Sequence, residues 1–361
     1  MKTLFERYTV FLKRLSEIKE YIDNTILQHD LIDSIEKKID NIENAESEYL
    51  GYLKSLKSST IQYNAVIISV YACFENYVDA LAAEYCNLVF RNATSFTDIP
   101  SRLRKKIRLK IGEYLTNPHR FPDEIKLEQT VNDYSSMLYS NLSSPVDLYF
   151  PTSHGGNLKS SEIATLFDDL TDANTRLSIL NSQAIMSFYV DSQLMDIEEF
   201  KQKKRRAQQS FESSEIMKPL ETLVAQRNAV AHSWHEDNRV SIDSIKNSII
   251  PFLQALSCAL LELCVDRYTP LSKSAYSLPN NVPIKVFNNS IVCINNQSTP
   301  IKVGDYIAYG TAQQTKCAKV ISIQHNNIDI SSVDDTQSID IGIKIDGKFA
   351  NSDFIKYIIN L

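Results

Sequence analysis

Three side chains near position 230 have the chemistry and the spacing of a reactive site: Arg227, Asn228 and His232. The segment around them has helical periodicity, and its apolar stripe consists of Met217, Leu220, Val224, Ala231 and Trp234. Arg227 takes the place on that stripe that is not apolar, where a permanent charge is costly unless it is paired or faces a cleft or an interface. Asn228 and His232 are four residues apart, so they share a helix face beside Arg227. An imidazole can transfer protons near neutral pH, and a guanidinium fork can stabilise negative charge on oxygen.

A structural interpretation of the same residues stays open. An arginine and a histidine near the end of a helix usually complement the helix dipole or lie on a solvated face. His235 and Glu236 extend the pattern to H-x-x-H-E, which is part of a metal-binding spacing. A third and a fourth ligand are not evident in the sequence, so neither a metal nor another cofactor is predicted.

Several long helices must position the three side chains. The helix that bears them is predicted over residues 214–234, with Pro219 in its first turn, where the missing N–H costs nothing. Residues 60–90 are apolar almost all round, which is typical of a helix in the middle of a bundle. The other predicted helices are one that starts at Ser160 or Ser161, one at residues 172–190, and an apolar one at residues 241–267 that closes the bundle.

The chain is predicted to be mainly α, a helical bundle with a small all-β domain at its C-terminal end. Residues 1–59 have heptad-like apolar spacing and are interpreted as an N-terminal helical hairpin. Residues 60–270 form the helical domain, and residues 271–283, which contain serine, asparagine and proline, form a linker. Short β-branched runs separated by turn residues follow, so residues 284–361 are predicted to be a β-barrel or a β-sandwich.

The composition excludes several classes of protein. With 361 residues the chain is long enough for two or three domains, and its net charge of -6 excludes a protein that is basic throughout. Only 8 residues are glycine, which argues against glycine-rich nucleotide loops and doubly wound sheets. The 6 cysteines form no C-x-x-C pair and several lie in apolar helical runs, so a reducing cytosol is expected. No signal peptide is visible, and the longest apolar stretches are expected to be too short and too polar to span a bilayer.

The hexapeptide RNAVAH at residues 227–232 resembles the R-x4-6-H signature of the HEPN ribonucleases, in the form that has asparagine after the arginine. The resemblance extends to an upstream bundle helix, VYACFENYVDAL, whose internal glutamate is Glu75, and to the apolar final helix IIPFLQALSCALLEL. Within that superfamily the chain is most similar to the RiboL-PSP type of HEPN domain. The similarity covers roughly residues 61–267, and the N-terminal hairpin is either an extension or the opening of the bundle.

The resemblance implies a metal-independent endoribonuclease in which the ribose 2′-hydroxyl attacks the adjacent phosphorus. His232 would act as general base or general acid, Arg227 would stabilise charge on the phosphoryl oxygens, and Asn228 would orient the imidazole or the phosphate. Glu75 is interpreted as a structural partner for a buried cation such as Arg227. Two protomers would bring their motifs into one composite cleft, and the products would be a 2′,3′-cyclic phosphate and a 5′-hydroxyl.

Nucleases of this kind often serve as toxins or as effectors of antiviral defence, so an antitoxin or a sensor protein is an expected partner. The alternative is a non-catalytic HEPN module that holds nucleotides or a nucleotidyltransferase, and a third interpretation is a helical scaffold. The intact set of Arg227, Asn228 and His232 favours the enzyme.

Two basic clusters are candidates for contact with RNA phosphates. The first consists of Arg102, Arg104, Lys105, Lys106, Arg108 and Lys110, and the second of Lys201, Lys203, Lys204, Arg205 and Arg206. A run of charges is usually a solvated helix face, but two such runs in an acidic protein favour phosphate contact. The second cluster precedes the helix of Arg227 and is the stronger candidate. The β domain has no pattern of catalytic residues. Its possible roles are to bind RNA, a regulator or a target protein, or to extend the dimer contact, and the sequence does not decide among them.

Overall fold

The computed structural model describes most of the chain. The described residues are 2–39, 51, 60–139, 147–232, 239–268, 282–297, 299–311, 314–334, 338–350 and 352–359. Side chains are described within these ranges except at positions 36–39, 232, 297, 314 and 338. Most of the predicted linker at residues 271–283, and residues 40–50 and 52–59 of the predicted N-terminal hairpin, lie outside the described residues.

Helices make up most of the described chain before residue 269. The α-helices are Lys2–Ile39, Thr60–Asn92, Ser101–Thr116, Leu127–Tyr139, Tyr149–Thr152, Ser160–Thr171, Thr175–Asn181, Gln183–Ser187, Ile197–Gln209, Lys218–His232, Ile242–Ser244 and Ile250–Tyr268. Short 3-10 helices lie at Phe96–Asp98 and Pro118–Arg120, and π-helical turns at Phe188–Ser192 and Ile245–Ile249. We name five of them the first helix (Lys2–Ile39), the central helix (Thr60–Asn92), the basic helix (Ser101–Thr116), the motif helix (Lys218–His232) and the closing helix (Ile250–Tyr268).

The central helix lies in the middle of the bundle, as its apolar sequence predicts. Val70, Phe74 and Val78 on this helix have no exposed surface, and burial of each such side chain stabilises the fold by about 1.5–3 kcal/mol. The first helix packs against it, and the ring of Phe11 stacks on Tyr77 with 4.5 Å between the centroids. The buried side chains of both helices belong to one core. The first helix is therefore the opening of the bundle and not an extension of it.

The single helix predicted over residues 172–190 is wrong. The structure has two shorter helices there, Thr175–Asn181 and Gln183–Ser187. Ser182 separates them, because its hydroxyl accepts a hydrogen bond from the amide of Ala184 at 3.2 Å. A serine side chain that forms a hydrogen bond with the local backbone in this way competes with the helical hydrogen bonds. The helix Thr175–Asn181 therefore ends before Ser182, and the helix Gln183–Ser187 begins after it.

The strands after residue 284 form an antiparallel β domain, as predicted. They are β1 Lys285–Phe287, β2 Ile291–Gln297, β3 Ile301–Lys302, β4 Tyr306–Thr311, β5 Gln314–His325, β6 Ile328–Ile330, β7 Ser332–Val333, β8 Ser338–Ile345 and β9 Phe354–Ile359. Within the described ranges, the main sheet has the order β1-β2-β8-β5-β4-β9 with β6 added to β5, and β3 pairs with β7. The sheet curls about β5, because its first half pairs with β4 and its second half with β8. Ile294, Ile323 and Ile343 are fully buried in a separate core inside the curl.

The β domain docks on the bundle at the C-terminal end of the closing helix. The ring of Phe5 on the first helix lies 4.3 Å from that of Tyr306 on β4, between centroids. Glu262 of the closing helix is buried in the same junction and accepts a hydrogen bond from the amide of Cys317 on β5 at 3.4 Å. The motif helix contacts the closing helix and also the turn Ile245–Ile249, which precedes it. That turn is roughly 20 Å from Glu262 at 1.5 Å per residue, so this contact lies far from the β junction.

Two helices differ from the expectation that every apolar stretch is too short and too polar to span a bilayer. Thr60–Asn92 and Ile242–Tyr268 are long and apolar enough to do so by length and composition alone, so that expectation is wrong on those two criteria. In the apolar windows of these helices, 56% and 72% of the residues are buried inside the bundle. Apolar character on all sides is what a core helix needs, since it packs against neighbours in every direction.

Candidate functional site

The motif helix carries Arg227 from the core to the surface. Its first turn contains Pro219, as predicted. On its apolar stripe, Leu220 and Val224 are 0% and 2% exposed, whereas Arg227 is half-buried. The charge therefore lies where the helix leaves the core, and its head group does not bear the full cost of desolvation.

An aromatic ring and an amide hold the guanidinium of Arg227. Its Cζ atom lies 5.3 Å from the ring centroid of Tyr71 on the central helix, a cation–π contact. Its Nη1 donates a hydrogen bond to Oδ1 of Asn228 at 3.3 Å, and the same Oδ1 accepts from Nδ2 of Asn157 at 2.7 Å. Asn157 thus fixes Asn228, and Asn228 in turn fixes the arginine.

Two hydrogen bonds, one donated and one accepted, fix the hydroxyl of Tyr71. The hydroxyl donates to Oε1 of Glu75 at 2.9 Å and accepts from the buried amide of Leu158 at 3.0 Å. Burial raises the pKa of Tyr71 to about 12, and the hydrogen bond to Glu75 acts in the same direction. The phenol therefore keeps its proton at neutral pH and remains a donor. Glu75 was expected to pair with a cation such as Arg227. It instead accepts a hydrogen bond from Tyr71, whose ring contacts the arginine.

The loop at residues 153–158 connects this network to a second point of the central helix. Nε2 of His154 lies 3.2 Å from Oδ1 of Asp79, and its Nδ1 lies 2.8 Å from the carbonyl oxygen of Gly156. The hydrogen bond to Asp79 raises the pKa of His154, and burial opposes it in part. Since a protonated imidazole donates from both nitrogens, both contacts favour the charged form. The loop is therefore anchored at Asp79 and, through its asparagine, at Asn228.

His232 is the last residue of the motif helix, four residues after Asn228. That separation is one helical turn, about 6 Å along the axis. The side chain of His232, and residues 233–238 with His235 and Glu236, lie outside what the structure describes. Within the described part of the chain there is no group of three or more side chains that could hold a metal ion.

The structure does not bring the second basic cluster to the arginine. Lys201 pairs with Glu198 at 2.6 Å, and Lys203 pairs with Glu215 at 2.7 Å. Glu215 precedes the motif helix, whose start is about 14 Å from Arg227 along the axis. The cluster of residues 201–206 therefore lies at the other end of the motif helix, and glutamates offset part of its charge.

The first basic cluster lies closer to the loop that holds Asn228 than the second cluster does. Arg102, Lys105, Lys106 and Lys110 line a cleft together with residues 153–155 of the loop that holds Asn228. The sequence ranked this cluster below the other because it is distant in the chain from the motif. The packing of the basic helix beside the loop places the first cluster nearer to Asn228, and contact of either cluster with RNA stays a prediction.

Tyr71, Asn157 and His154 belong to the site but were not identified in the sequence. Tyr71 has a visible signal, since its i, i+4 spacing from Glu75, which the sequence did indicate, places the two on one helix face. Asn157 has no local signal, because its contact with Asn228 joins residues 71 positions apart. His154 lies between polar and glycine residues that are typical of an exposed turn, yet its side chain is only 17% exposed.

Comparison with known proteins assigns the chain to a family. Residues 11–266 match the family model described as RiboL-PSP-HEPN. No curated protein and no solved structure matches the chain significantly. The match begins within the first helix, in agreement with its place in the common core, and it ends within the closing helix. The protein therefore belongs to the RiboL-PSP-HEPN family, as the motif and the order of its helices predicted.

Proposed function

We propose that this protein is a metal-independent endoribonuclease whose catalytic residues are Arg227, Asn228 and His232. The observation that carries the proposal is the placement of the Arg227 guanidinium. It is half-buried, it is fixed by Tyr71 and Asn228, and no carboxylate pairs with it among the described residues. A fixed guanidinium of this kind is prepared for an anionic group of a substrate, such as a phosphate. HEPN domains are often ribonucleases or nucleotide-binding modules, which supports this choice of substrate.

Each residue type has a part in the proposed reaction. The ribose 2′-oxygen forms a bond to the adjacent phosphorus as the bond from phosphorus to the 5′-oxygen breaks. His232 takes the proton of the 2′-hydroxyl or gives a proton to the leaving 5′-oxygen. Arg227 stabilises the charge that develops on the phosphoryl oxygens. The products are a 2′,3′-cyclic phosphate and a 5′-hydroxyl, with no metal or other cofactor required.

The reaction needs both a base and an acid, and each motif helix supplies one histidine. We therefore propose a homodimer whose two motifs face a single cleft, so that His232 of one protomer is the base and that of the other is the acid. The expected mass by light scattering is close to twice the 41.1 kDa of one chain. A monomer that retains full activity would exclude the composite cleft.

The proposed role is that of a cytoplasmic toxin or antiviral-defence effector. A cell that makes such an enzyme must restrain it, so an antitoxin or a sensor protein is the proposed partner. Overexpression is expected to arrest growth, and His232→Ala is expected to relieve the arrest. Equal growth arrest by both proteins would separate toxicity from the proposed site.

The deciding experiment is cleavage of total RNA and of tRNA in excess EDTA. We expect the wild-type protein to cut both and to leave cyclic-phosphate ends, and His232→Ala purified in the same way to be inactive. Activity that depends on Mg²⁺, or that leaves 3′-hydroxyl ends, would refute the mechanism. Equal cutting by both preparations would indicate a contaminant or a different site. A lack of cutting by either would favour the non-catalytic binding module.

Asn157 is expected to matter for activity more than for stability. Replacement by alanine removes the 2.7 Å hydrogen bond to Asn228, so Arg227 loses part of its support, and the cleavage rate should fall by about tenfold. The free energy of unfolding should change by only about 1 kcal/mol, as for the loss of one ordinary hydrogen bond. Initial rates and denaturant unfolding measure the two effects.

A matched control for Asn157→Ala is Asn295→Ala. Nδ2 of Asn295 donates to Oδ1 of Asp340 in the β domain, also at 2.7 Å. This variant removes a hydrogen bond of the same donor type and length, here to a carboxylate, at a distance from the motif. Its cleavage rate should equal that of the wild type. If the two variants have the same rate, Asn157 does not position the site.

A further inference from the structure

The basic helix borders a cleft whose volume is about 580 Å³. The opposite side of the cleft is the helix Ser160–Thr171, and residues 153–155 of the loop also line it. Pockets that hold small organic ligands have volumes of roughly 300–1,000 Å³. The cleft is therefore large enough for a unit the size of one nucleotide.

One face of the basic helix supplies the cations of the cleft. They are Arg102, Lys105, Lys106 and Lys110. Their spacing of three, one and four residues places them together along the helix. Leu103, Ile107 and Ile111 on a neighbouring face are buried in the bundle and fix the orientation of the helix. The core of the bundle thus holds this part of the first basic cluster toward the cleft.

Lys106 and Asp169 face each other in the cleft without forming a close pair. Their charged atoms are 3.9 Å apart, and their side chains are only 11% and 32% exposed. Burial lowers the pKa of Lys106 and raises the pKa of Asp169. A tight ion pair produces the opposite shifts, so their mutual attraction does not offset the cost of desolvating them. Perturbed groups of this kind in a cleft are typical of binding sites.

A hydroxyl group in the same place also lacks a partner. Oγ of Ser153, which lines the cleft, is buried and has no hydrogen-bond partner among the residues that the structure describes. Most buried hydroxyls in proteins are satisfied, because an unsatisfied one costs about 1–3 kcal/mol. Ser153 therefore offers a ligand a hydrogen bond that the protein itself does not use.

The mixture of charges limits the chemical class of the ligand. The cleft has four cations, but Glu162, Asp168 and Asp169 also line it. A bare polyanion would be repelled by the carboxylates, and a bare metal ion by the lysines. A nucleotide unit suits both the cations and the carboxylates of the cleft. Its phosphate is an anion, and its sugar and base carry O–H and N–H groups that donate to carboxylates.

The cleft is also close to the motif. His154 lines it, and Asn157, three residues later in the loop, donates the hydrogen bond to Asn228. Three residues span at most about 10 Å. A single RNA strand can therefore contact the cleft and the motif at the same time.

We propose that the cleft between the basic helix and the helix Ser160–Thr171 binds one nucleotide unit of the RNA strand that flanks the scissile phosphate. Lys105 and Lys110 contact the phosphate, and Asp169 accepts a hydrogen bond from the sugar or the base. Lys110 also pairs with Glu113 at 3.0 Å, and its ammonium group has further N–H donors for the phosphate. The identity of the strand as substrate rests on the proposed ribonuclease function, whereas the binding of a nucleotide unit does not.

The test is RNA binding, measured by fluorescence anisotropy on the His232→Ala protein in EDTA, so that the strand stays intact. The probe is a labelled single-stranded RNA of about 10 nucleotides. Addition of Lys105→Ala and Lys110→Ala should weaken binding by about tenfold or more and lower the slope of log affinity against log salt by about one to two. The matched control is Arg205→Ala with Arg206→Ala, which removes two exposed cations from the second cluster and should leave the affinity within about twofold.

Asp169→Asn distinguishes a nucleotide site from a patch of positive charge. On such a patch, loss of a negative charge strengthens RNA binding. At the proposed site the charged acceptor is replaced by an amide, whose neutral oxygen accepts a weaker hydrogen bond, so the variant should bind up to about tenfold more weakly. Unchanged affinity after the double lysine substitution, or tighter binding by Asp169→Asn, would overturn the proposal.

A competition arm separates an RNA strand from a free nucleotide. Unlabelled mononucleotides should displace the probe far less well than the unlabelled oligonucleotide, because only a strand reaches both the cleft and the motif. Equal displacement by both would assign the cleft to a free nucleotide and overturn the strand proposal. These binding results remain readable if the wild-type protein fails to cut RNA, so failure of the nuclease mechanism and failure of the cleft are distinguishable.

Discussion

Arg227→Ala is expected to lower the rate of RNA cleavage by about 100-fold to 1,000-fold, the usual effect of removing one group that stabilises transition-state charge. The guanidinium is positioned by the ring of Tyr71 and by Asn228 before any substrate arrives. Its stabilising effect therefore needs no reorganisation at the moment of reaction, which is why its loss should fall on the chemical step. Initial rates at saturating RNA measure this effect, and denaturant unfolding measures stability. The cation–π contact contributes about 0.5–1 kcal/mol to folding, so the variant should stay folded.

Arg227→Lys is the matched variant. Lysine keeps the positive charge but loses the planar fork and the planar contact with the aromatic ring. We expect its rate to lie between those of the wild type and the alanine variant. A cleavage rate for Arg227→Ala within about threefold of the wild type would remove Arg227 from the catalytic residues, since that change corresponds to less than about 1 kcal/mol of barrier.

The stability of the protein is expected to fall by about 2–3 kcal/mol between pH 5 and pH 8 because of one residue, Glu262. This carboxyl is 7% exposed at the junction of the closing helix and the β domain. Burial raises the pKa of Glu262 to about 7, although hydrogen bonds from Ser182 and from the amide of Cys317 oppose the shift. In the unfolded chain the same group has a pKa of about 4.3.

The direction follows from the proton balance. Between the two pKa values, the folded state holds the proton and the unfolded state has released it, so each rise in pH favours unfolding. The stabilisation is complete below pH 4 and is lost as pH rises through about 7, the pKa of the folded state. Urea unfolding at several pH values measures it.

Glu262→Gln is the control for this prediction, because glutamine keeps the shape of the side chain and does not titrate. The variant should lose this part of the pH dependence and should be more stable than the wild type at pH 8. Equal pH dependence in both proteins would mean that Glu262 titrates normally in the folded state. Loss of contacts such as that between Phe5 and Tyr306 in the same transition would locate the effect at the β junction.

The helices and strands could be predicted from the sequence where the spacing of apolar residues within each segment determines them. The central helix was expected at residues 60–90 and extends over Thr60–Asn92, because an apolar helix needs only its own sequence to define its length and its burial. The change to β-branched runs likewise predicted the β domain. The error at residues 172–190 arose because Ser182 is an ordinary polar residue in the sequence. Its role as a helix cap is also tied to Glu262, 80 positions away, to which its hydroxyl donates at 3.0 Å.

The sequence by itself determined the family and indicated the residues that we propose as catalytic. Arg227, Asn228 and His232 lie within six residues, and their spacing on one helix needs no tertiary information. The tertiary structure decided what surrounds them. Tyr71 and Asn157 are 156 and 70 positions from Arg227 in the chain, and only the packing of three elements places their side chains beside it. Contacts of that kind depend on the whole core, whereas a helical motif depends on a repeat of 3.6 residues.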